Sequence, residues 1–387
     1  MQDLFKKYKW QIIAGGAALA VLLIVIIVFA AQRSRKNRTY ENFDVVGKTR
    51  EFAETSEVNY LPSAKGVFRY TRDGAEVVNE KGKTIWNVSY NMNKPIGDSC
   101  GNAAAVGDIG AKSLYIFDGS GNANPITTAY PIEKVQVASQ GVTAVWMNNG
   151  IEDYITLYKN DGTKITDMNT LVATSGFPVD ITLSNDGTKL VTTFVSFEKE
   201  HIQSQLNFYN FGDVGGNYVD GLVGIESFKD EMVADVEFID NNTLVVFGEK
   251  GFRIYDMEEI QSLKQEVKIA EPMKSVTCSD QYIGVVLESN AKGGNYIVRI
   301  YDRSGKVVDE RSMTDSFSNF LIDGSDVILF NELEVYIYRI GGKDKIRIAL
   351  KKSLKYVYAL DDVNEFVFVG DTYLERVRLV GERRGRK

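Results

Sequence analysis

The distribution of apolar positions divides the chain near residue 40. Residues Ile12 to Ala31 read IIAGGAALAVLLIVIIVFAA, twenty residues without a charge. Beyond them helical periodicity is nearly absent, and short alternations of apolar and polar residues take its place. Examples are Val67-Phe68-Arg69-Tyr70, Ser113 to Phe117, Leu190 to Phe194, Thr243 to Phe247, Asp326 to Phe330 and Glu365 to Val369. Gly, Asn or Asp bounds most of them, which is the turn chemistry of hairpins. Met257 to Gln265 is the main segment expected to be helical, as a loop insertion.

The alternations repeat as a strand ending in an aromatic residue, a polar turn and a second strand. Copies include YIFDGSGN from Tyr115, TLYKNDGTKITD from Thr156, NFYNFGDVGG from Asn207, RIYDMEEI from Arg253, RIYDRSGKVVDE from Arg299 and YIYRIGGKDKIR from Tyr336. Taking the aromatic or its equivalent as a marker gives Asn79, Phe117, Tyr158, Tyr209, Tyr255, Tyr301, Tyr338 and Arg376, spaced by 37 to 51 residues. This is near the period of β-propeller blades. A four-stranded blade cannot bury both faces alone, so radial packing against two neighbours is the physical solution. The last copy runs out near Val380, and residues 42–52 are expected to supply its missing outer strand. The fold predicted is all-β: an eight-bladed β-propeller preceded by one N-terminal transmembrane helix. Seven blades is the alternative if the 197–228 region is an insertion within one blade.

Two segments carry a resemblance. Ala75 to Trp86, AEVVNEKGKTIW, resembles the quinoprotein repeat with its Gly-Lys turn and docking tryptophan, and DITLSNDGTKLVTTF from Asp180 is similar to WD-like blades. Only Trp86 and Trp146 lie in this region and no WD dipeptide occurs, which argues against a quinone cofactor. The layout of anchor and propeller is similar to an uncharacterised family of single-span, membrane-anchored propeller proteins of Gram-positive bacteria. That resemblance implies the fold and no activity.

The apolar run would span about 30 Å as a helix, the hydrocarbon thickness of a bilayer. Its flanks suit a membrane interface: Lys6, Lys7, Lys9 and Trp10 before it, and Arg33, Arg35, Lys36 and Arg38 after it. The organisation expected is a short tail (1–11), the span (12–31), a basic juxtamembrane linker (32–41), the propeller (42–381) and a basic tail (382–387). The flanking charges nearly balance, and the short tail favours a signal anchor, hence a single-pass cell-membrane protein with an extracellular propeller. A cleaved signal peptide, with Val28 and Ala30 before the cut, is the rival reading; its apolar region would exceed the roughly 7–15 residues usual there.

Charge is segregated. Residues 1–38 hold seven Lys/Arg against Asp3 alone, so the net −7 of the whole leaves −13 for residues 39–387, and −16 once the +3 of 382–387 is set aside. Such a body repels phosphate backbones, so no nucleic-acid partner is expected. The basic linker suits anionic headgroups, with the bilayer as partner of residues 12–31.

Candidate chemistry is sparse. His201 is the single histidine and reads as a solvated loop residue. Cys100 and Cys278 fall in the second and sixth repeats, opposite one another in an eight-membered ring, so they read as small hydrophobes rather than a disulfide. Asp118 to Asn122, Asn160 to Gly162 and Ser184 to Gly187 read as hairpin turns, because their spacing fits neither a calcium loop nor a phosphate cradle. No cofactor or metal is called for. Residues 197–228, rich in aromatics and glycine, are the candidate partner-binding loop, with Phe197, His201, Tyr209, Phe211 and Tyr218 as its residues. The function expected is non-enzymatic: a membrane-anchored binding or scaffold protein at the cell envelope, with a protein or glycan at its loop face. The alternative is a carboxylate-dependent glycan hydrolase or lyase, which needs two carboxyl groups about 5–10 Å apart in a cleft.

Overall fold

A period-two strand followed by a short polar turn meets its next neighbour first, so consecutive strands pair antiparallel and satisfy each other's backbone groups. The computed structural model describes residues 38–381 apart from Ser56, 172–175, Lys199, 290–294 and Ser316, together with Leu23 and Ile24. They form eight antiparallel sheets arranged as the blades of a propeller. Blades 1 to 7 cover residues 59–89, 95–127, 132–171, 177–229, 233–268, 273–313 and 319–349, each with its four strands in sequence order. Blade 8 takes its first three strands from residues 356–380 and its outer strand from Asn42–Val45, with Arg50–Glu51 pairing further along. The expected count of eight and the expected closure are both present. Blade 4 is a complete blade with lengthened strands, Lys189–Glu198 and His201–Asn210, so the seven-bladed alternative falls away.

Second strands are the most apolar, as in Asp326–Phe330 and Glu365–Val369, which are buried at each position. Each is sandwiched between two blades, so both its faces leave water. Eight apolar seams result among the described residues, one for each pair of neighbouring blades. In the seam between blades 1 and 2, Trp86 stacks on Phe117 with centroids 5.3 Å apart at 17°. The marker aromatics Phe117, Tyr158, Tyr209, Tyr255, Tyr301 and Tyr338 are all buried in third strands. Two markers belong one residue away. Asn79 is a turn residue whose carboxamide accepts the Lys81 and Lys83 amides, and Arg376 points to Glu365. The core position is filled by Val78 and Val377, opposite Val67 and Phe366.

The turn between third and fourth strands packs across the outer strand of the preceding blade. A Cβ on Gly121 would sit 2.4 Å from Trp86 Cγ, and one on Gly305 (φ +77) would sit 2.7 Å from Val267 Cγ2. Gly82 of blade 1 meets Arg50 in the same way, with a built Cβ 2.7 Å from Arg50 Cβ. The N-terminal segment thus serves as a true fourth strand.

Met257 to Gln265 is not helical: Met257 is buried, a turn follows, and Ser262–Lys268 forms the outer strand of blade 5. Pairing with Gly251–Asp256 satisfies the backbone of both segments, which a projecting helix would not. The expected membrane span lies outside the described residues except for Leu23 and Ile24, which are helical and exposed. Among the described residues no helix is long and apolar enough to cross a membrane. Residues 382–387 also lie outside them.

Replacing Gly305 with Val forces a β-branched residue into the left-handed region and against Val267. Denaturant unfolding should show a loss of at least about 2 kcal/mol relative to wild type.

Candidate functional site

The topology gives the ring two unlike faces. One, the turn face, carries the connections between first and second strands and between third and fourth strands. The other, the loop face, carries the second-to-third hairpins and the links between blades. The candidate loop residues are divided between them. Phe197 and His201 sit at the tip of the long blade 4 hairpin on the loop face; Phe197 is 69% exposed, and His201 Nδ1 lies 2.6 Å from an Asp230 carboxylate oxygen. His201 is exposed, but it opens the strand His201–Asn210 opposite Glu198 and does not lie in a loop. Tyr218 is exposed at the opposite end, in the connection 211–221 on the turn face. Tyr209 is buried at the marker position, with Phe211 stacked beside it at 6.3 Å. The five therefore do not form one surface, because a ten-residue strand of about 33 Å separates the two ends. Of the membrane-interface residues only Arg38 is described, and it is exposed.

The turns behave as turns. The Asp118 carboxylate accepts the amides of Ser120 (2.8 Å) and Asn122 (2.9 Å), and Asp186 takes the Ser184 hydroxyl and the Thr188 amide. Cys100 and Cys278 are free thiols, half-buried against the apolar seams. Burial pushes the Cys100 thiol up to about 11 and raises that of Cys278 as well, so neither is poised as a nucleophile.

The ring axis carries a polar cluster. First strands of neighbouring blades touch each other, and Cys100 Sγ lies 3.7 Å from Asn185 Oδ1 across the intervening blade 3. These strands therefore surround a central channel. They bring together Asp98, Lys134, Asp180, Asp235 and Glu237 from blades 2 to 5. Lys134 pairs with Asp180, whose other oxygen accepts the Val236 amide at 3.1 Å. Asp98 accepts the Val137 amide at 2.6 Å, and Asp323 accepts that of Ala359 at 2.8 Å. Inner carboxylates thus latch each blade to the next while their charge stays near the axis.

One cation faces four carboxyl groups, so protons must make up the balance. Burial pushes Asp98 up to about 6. Burial and a hydrogen bond with Asp180 push Asp235 up to about 7. Burial also raises Glu237, against a hydrogen bond from Cys278, with Asp180 and Asp98 adding repulsion. Asp180 and Asp235 stand at hydrogen-bond distance, closer than the roughly 5–10 Å needed by a glycosidase pair. Among the described residues no group of three or more His, Cys, Asp or Glu is placed to hold a metal ion.

Two cavities open on the loop face beside this channel. One, of about 510 Å³ between blades 5 and 6, is lined by Asp235, Phe247, Met273 and Val276. Another, of about 360 Å³ between blades 6 and 7, is lined by Val286, Tyr296, Met313, Phe317 and Phe320, and shares Lys274 and Ser275 with the first. The arrangement is a surface with half-apolar hollows around a mouth that carries a titratable carboxyl. The sequence did hold a signal for the channel. In Lys134-Val135-Gln136-Val137, Asp180-Ile181-Thr182-Leu183 and Asp235-Val236-Glu237-Phe238, polar residues alternate with apolar ones, unlike the unbroken second strands.

Fold and channel together define an eight-bladed β-propeller with a polar axis and no assembled catalytic or metal centre among the described residues. The chain belongs to the family of unknown function DUF5711, whose profile matches residues 36–379. No curated protein matches it. Among solved structures it is similar to BamB from Moraxella catarrhalis, at 13% identity and a TM-score of 0.53 over 87% of this chain and 100% of that one. A structure described as the eukaryotic initiation factor gives 12% identity and a TM-score of 0.55 over 90% of each chain. The computationally designed Ika8 protein gives 9% and 0.52, covering 89% of this chain and all of its own. At these identities the likeness is one of fold alone.

Linkage makes the channel visible in stability. Asp98 and Asp235 hold protons in the folded state that an unfolded chain releases near pH 4. Stability from these two groups is therefore full below about pH 4 and is lost as pH rises through about 7. Asp235→Asn should flatten the fall in Tm between about pH 5 and pH 8, read by thermal unfolding across that range. An unchanged slope would remove Asp235 from the account.

Proposed function

We propose that this chain is a membrane-tethered propeller that works by binding, presenting its loop face to a protein partner at the cell envelope, with the propeller outside the cell. One observation carries the reading. Residues 38–41 reach the ring on the turn face, at the outer edge of blade 8, where the Glu41 amide donates to the Val380 carbonyl at 3.2 Å. A span at residues 12–31 leaves only ten residues before Asn42, a reach of at most about 36 Å. The turn face then lies towards the bilayer, and the loop face points away from it.

What the loop face offers suits a protein. Ile151, Phe177 and Phe197, on blades 3 and 4, are 76%, 57% and 69% exposed. Such side chains supply rigid contact area, and the two hollows further round the same face, between blades 5 and 7, supply pockets for anchoring residues. The likeness to BamB and to other propellers supports a binding scaffold as the role of such a fold.

A photo-reactive residue at position 151, in native membranes, should crosslink one defined protein. Phe197→Asp should leave Tm unchanged and cut that yield by about fivefold or more, whereas Tyr218→Asp on the turn face should not. Equal yields from both variants would refute the loop-face assignment, and a product lost on glycan digestion would move the partner to a glycan. A cysteine at Glu249 should react with an impermeant maleimide in intact cells if the propeller is outside; protection there would reverse the topology.

A further inference from the structure

The two hollows on the loop face lie on either side of one sheet, blade 6, whose inner strand Met273–Cys278 lends Lys274 and Ser275 to both. Packed sheets stand about 10 Å apart, so hollows in successive seams are spaced by about the same distance. They differ in character. The larger, between blades 5 and 6, has walls of Phe247, Met273 and Val276, with Asp235, Glu249 and Glu271 as its carboxyl groups. The smaller, between blades 6 and 7, is walled by Tyr296, Met313, Phe317 and Phe320, with exposed Glu288 and Asp315 at its edge.

Among the described residues, the charges around the larger hollow leave its carboxylates in excess. Lys274 is the one basic residue of its lining, and its ammonium is held by Glu288 at 3.3 Å. Arg299, behind Glu271, is shared between that carboxylate at 3.2 Å and Glu310 at 2.5 Å. Lys250 donates to the Asp230 carbonyl at 2.8 Å, Arg253 is taken by Glu231 and Glu266, and Lys134 pairs with Asp180. None of these contacts engages Glu249, which stands exposed at the mouth; Asp235 lies deeper, beside Asp180 and Glu237. At the smaller hollow the balance is different: Lys274 matches Glu288 and Arg347 matches Asp315, which leaves the aromatic walls as its main feature.

We infer that the two hollows together take a short extended segment of the protein partner, with a lysine or arginine in the larger hollow and an aromatic or bulky aliphatic side chain in the smaller. The inference rests on the loop-face reading above and names what that face recognises. A long basic side chain lays its methylene stem along Phe247, Met273 and Val276 and carries its charge to Glu249 and Asp235, as such side chains do at apolar surfaces. In an extended or polyproline II chain, residues three apart are about 9–10 Å apart, which matches the step from one hollow to the other across blade 6. The net −16 between residues 39 and 381 favours the approach of a basic segment.

The test uses the full chain purified in detergent. The probes are rhodamine-labelled peptides Gly-Ser-X-Pro-Ser-Z-Ser-Gly, with X as Arg or Lys and Z as Phe, Tyr or Leu, and binding is read by fluorescence anisotropy. Glutamate at X, or alanine at Z, should weaken binding about tenfold. Ser275→Trp, at an exposed position shared by both hollows, should abolish binding with Tm unchanged. Glu249→Lys should invert the charge preference, so that the glutamate peptide binds about fivefold better than its arginine counterpart. The assignment is overturned if no basic peptide binds, if either charge at X binds equally, or if Ser275→Trp binds as wild type does. Saturation by chitohexaose, or a dimer of the chain that Ser275→Trp dissolves, would give the hollows to a glycan or to a second copy and overturn it as well. In the membrane crosslinking from position 151, loss of the product in Ser275→Trp supports the site. A product that persists at full yield overturns the hollows as the recognition site and leaves the loop-face reading in place, whereas absence of any product in the wild-type chain overturns that reading and this inference with it.

Discussion

The pairing of Asn42–Val45 with the third strand of blade 8 is the constraint on which the molecule depends. Each seam needs two blades to bury one apolar layer, so an open array would leave two faces and one sheet edge in water. Among the described residues, the seam between blades 8 and 1 has the smallest buried apolar layer: Val67, Val78, Val367, Val369 and Leu374. It is reinforced from the N-terminal segment: Phe52 packs there, with the Arg69 guanidinium 4.7 Å over its ring. Phe43 meets Phe368 edge-on at 5.3 Å on the other side of the blade. A short stretch of chain thus completes a sheet and supports both seams beside it.

Around that frame, charge is sorted by depth. The outer seams are apolar, while the first strands turn carboxylates toward the axis. A channel with one lysine against four carboxyl groups holds protons that the same side chains on the rim would release. The inner Asp residues serve two ends at once: their oxygens take backbone amides of the next blade, and the field they leave behind fills the mouth of the loop face. Structure and electrostatics are there the same set of atoms.

Much of the architecture was legible in the residues. The six apolar alternations all fall in strands, and the six marker aromatics are buried, because period and turn chemistry are local properties. The departures are local as well. Asn79 and Arg376 were off by one because their repeats lack the aromatic that sets the register, and valine fills the core position instead. Met257 to Gln265 looked helical because its acidic turn and its outer strand are mostly exposed, leaving no alternation to read. The candidate loop gathered five residues by sequence proximity, and a single long strand left Phe197 and His201 at one face, buried Tyr209 beside Phe211 and carried Tyr218 to the other. The channel escaped notice because its members come from four blades, and only the closed ring makes them neighbours.

The direction of the closing strand has a mechanical corollary. It runs from Asn42, nearest the incoming chain, toward Val45, while the strand it pairs with is built into the ring. A pull on residues 38–41 along the strand axis, away from the turn face, shears the four-residue pairing as a unit, where a pull across the sheet would peel its backbone bonds one at a time. The fastening is strongest against load along the line of the strand.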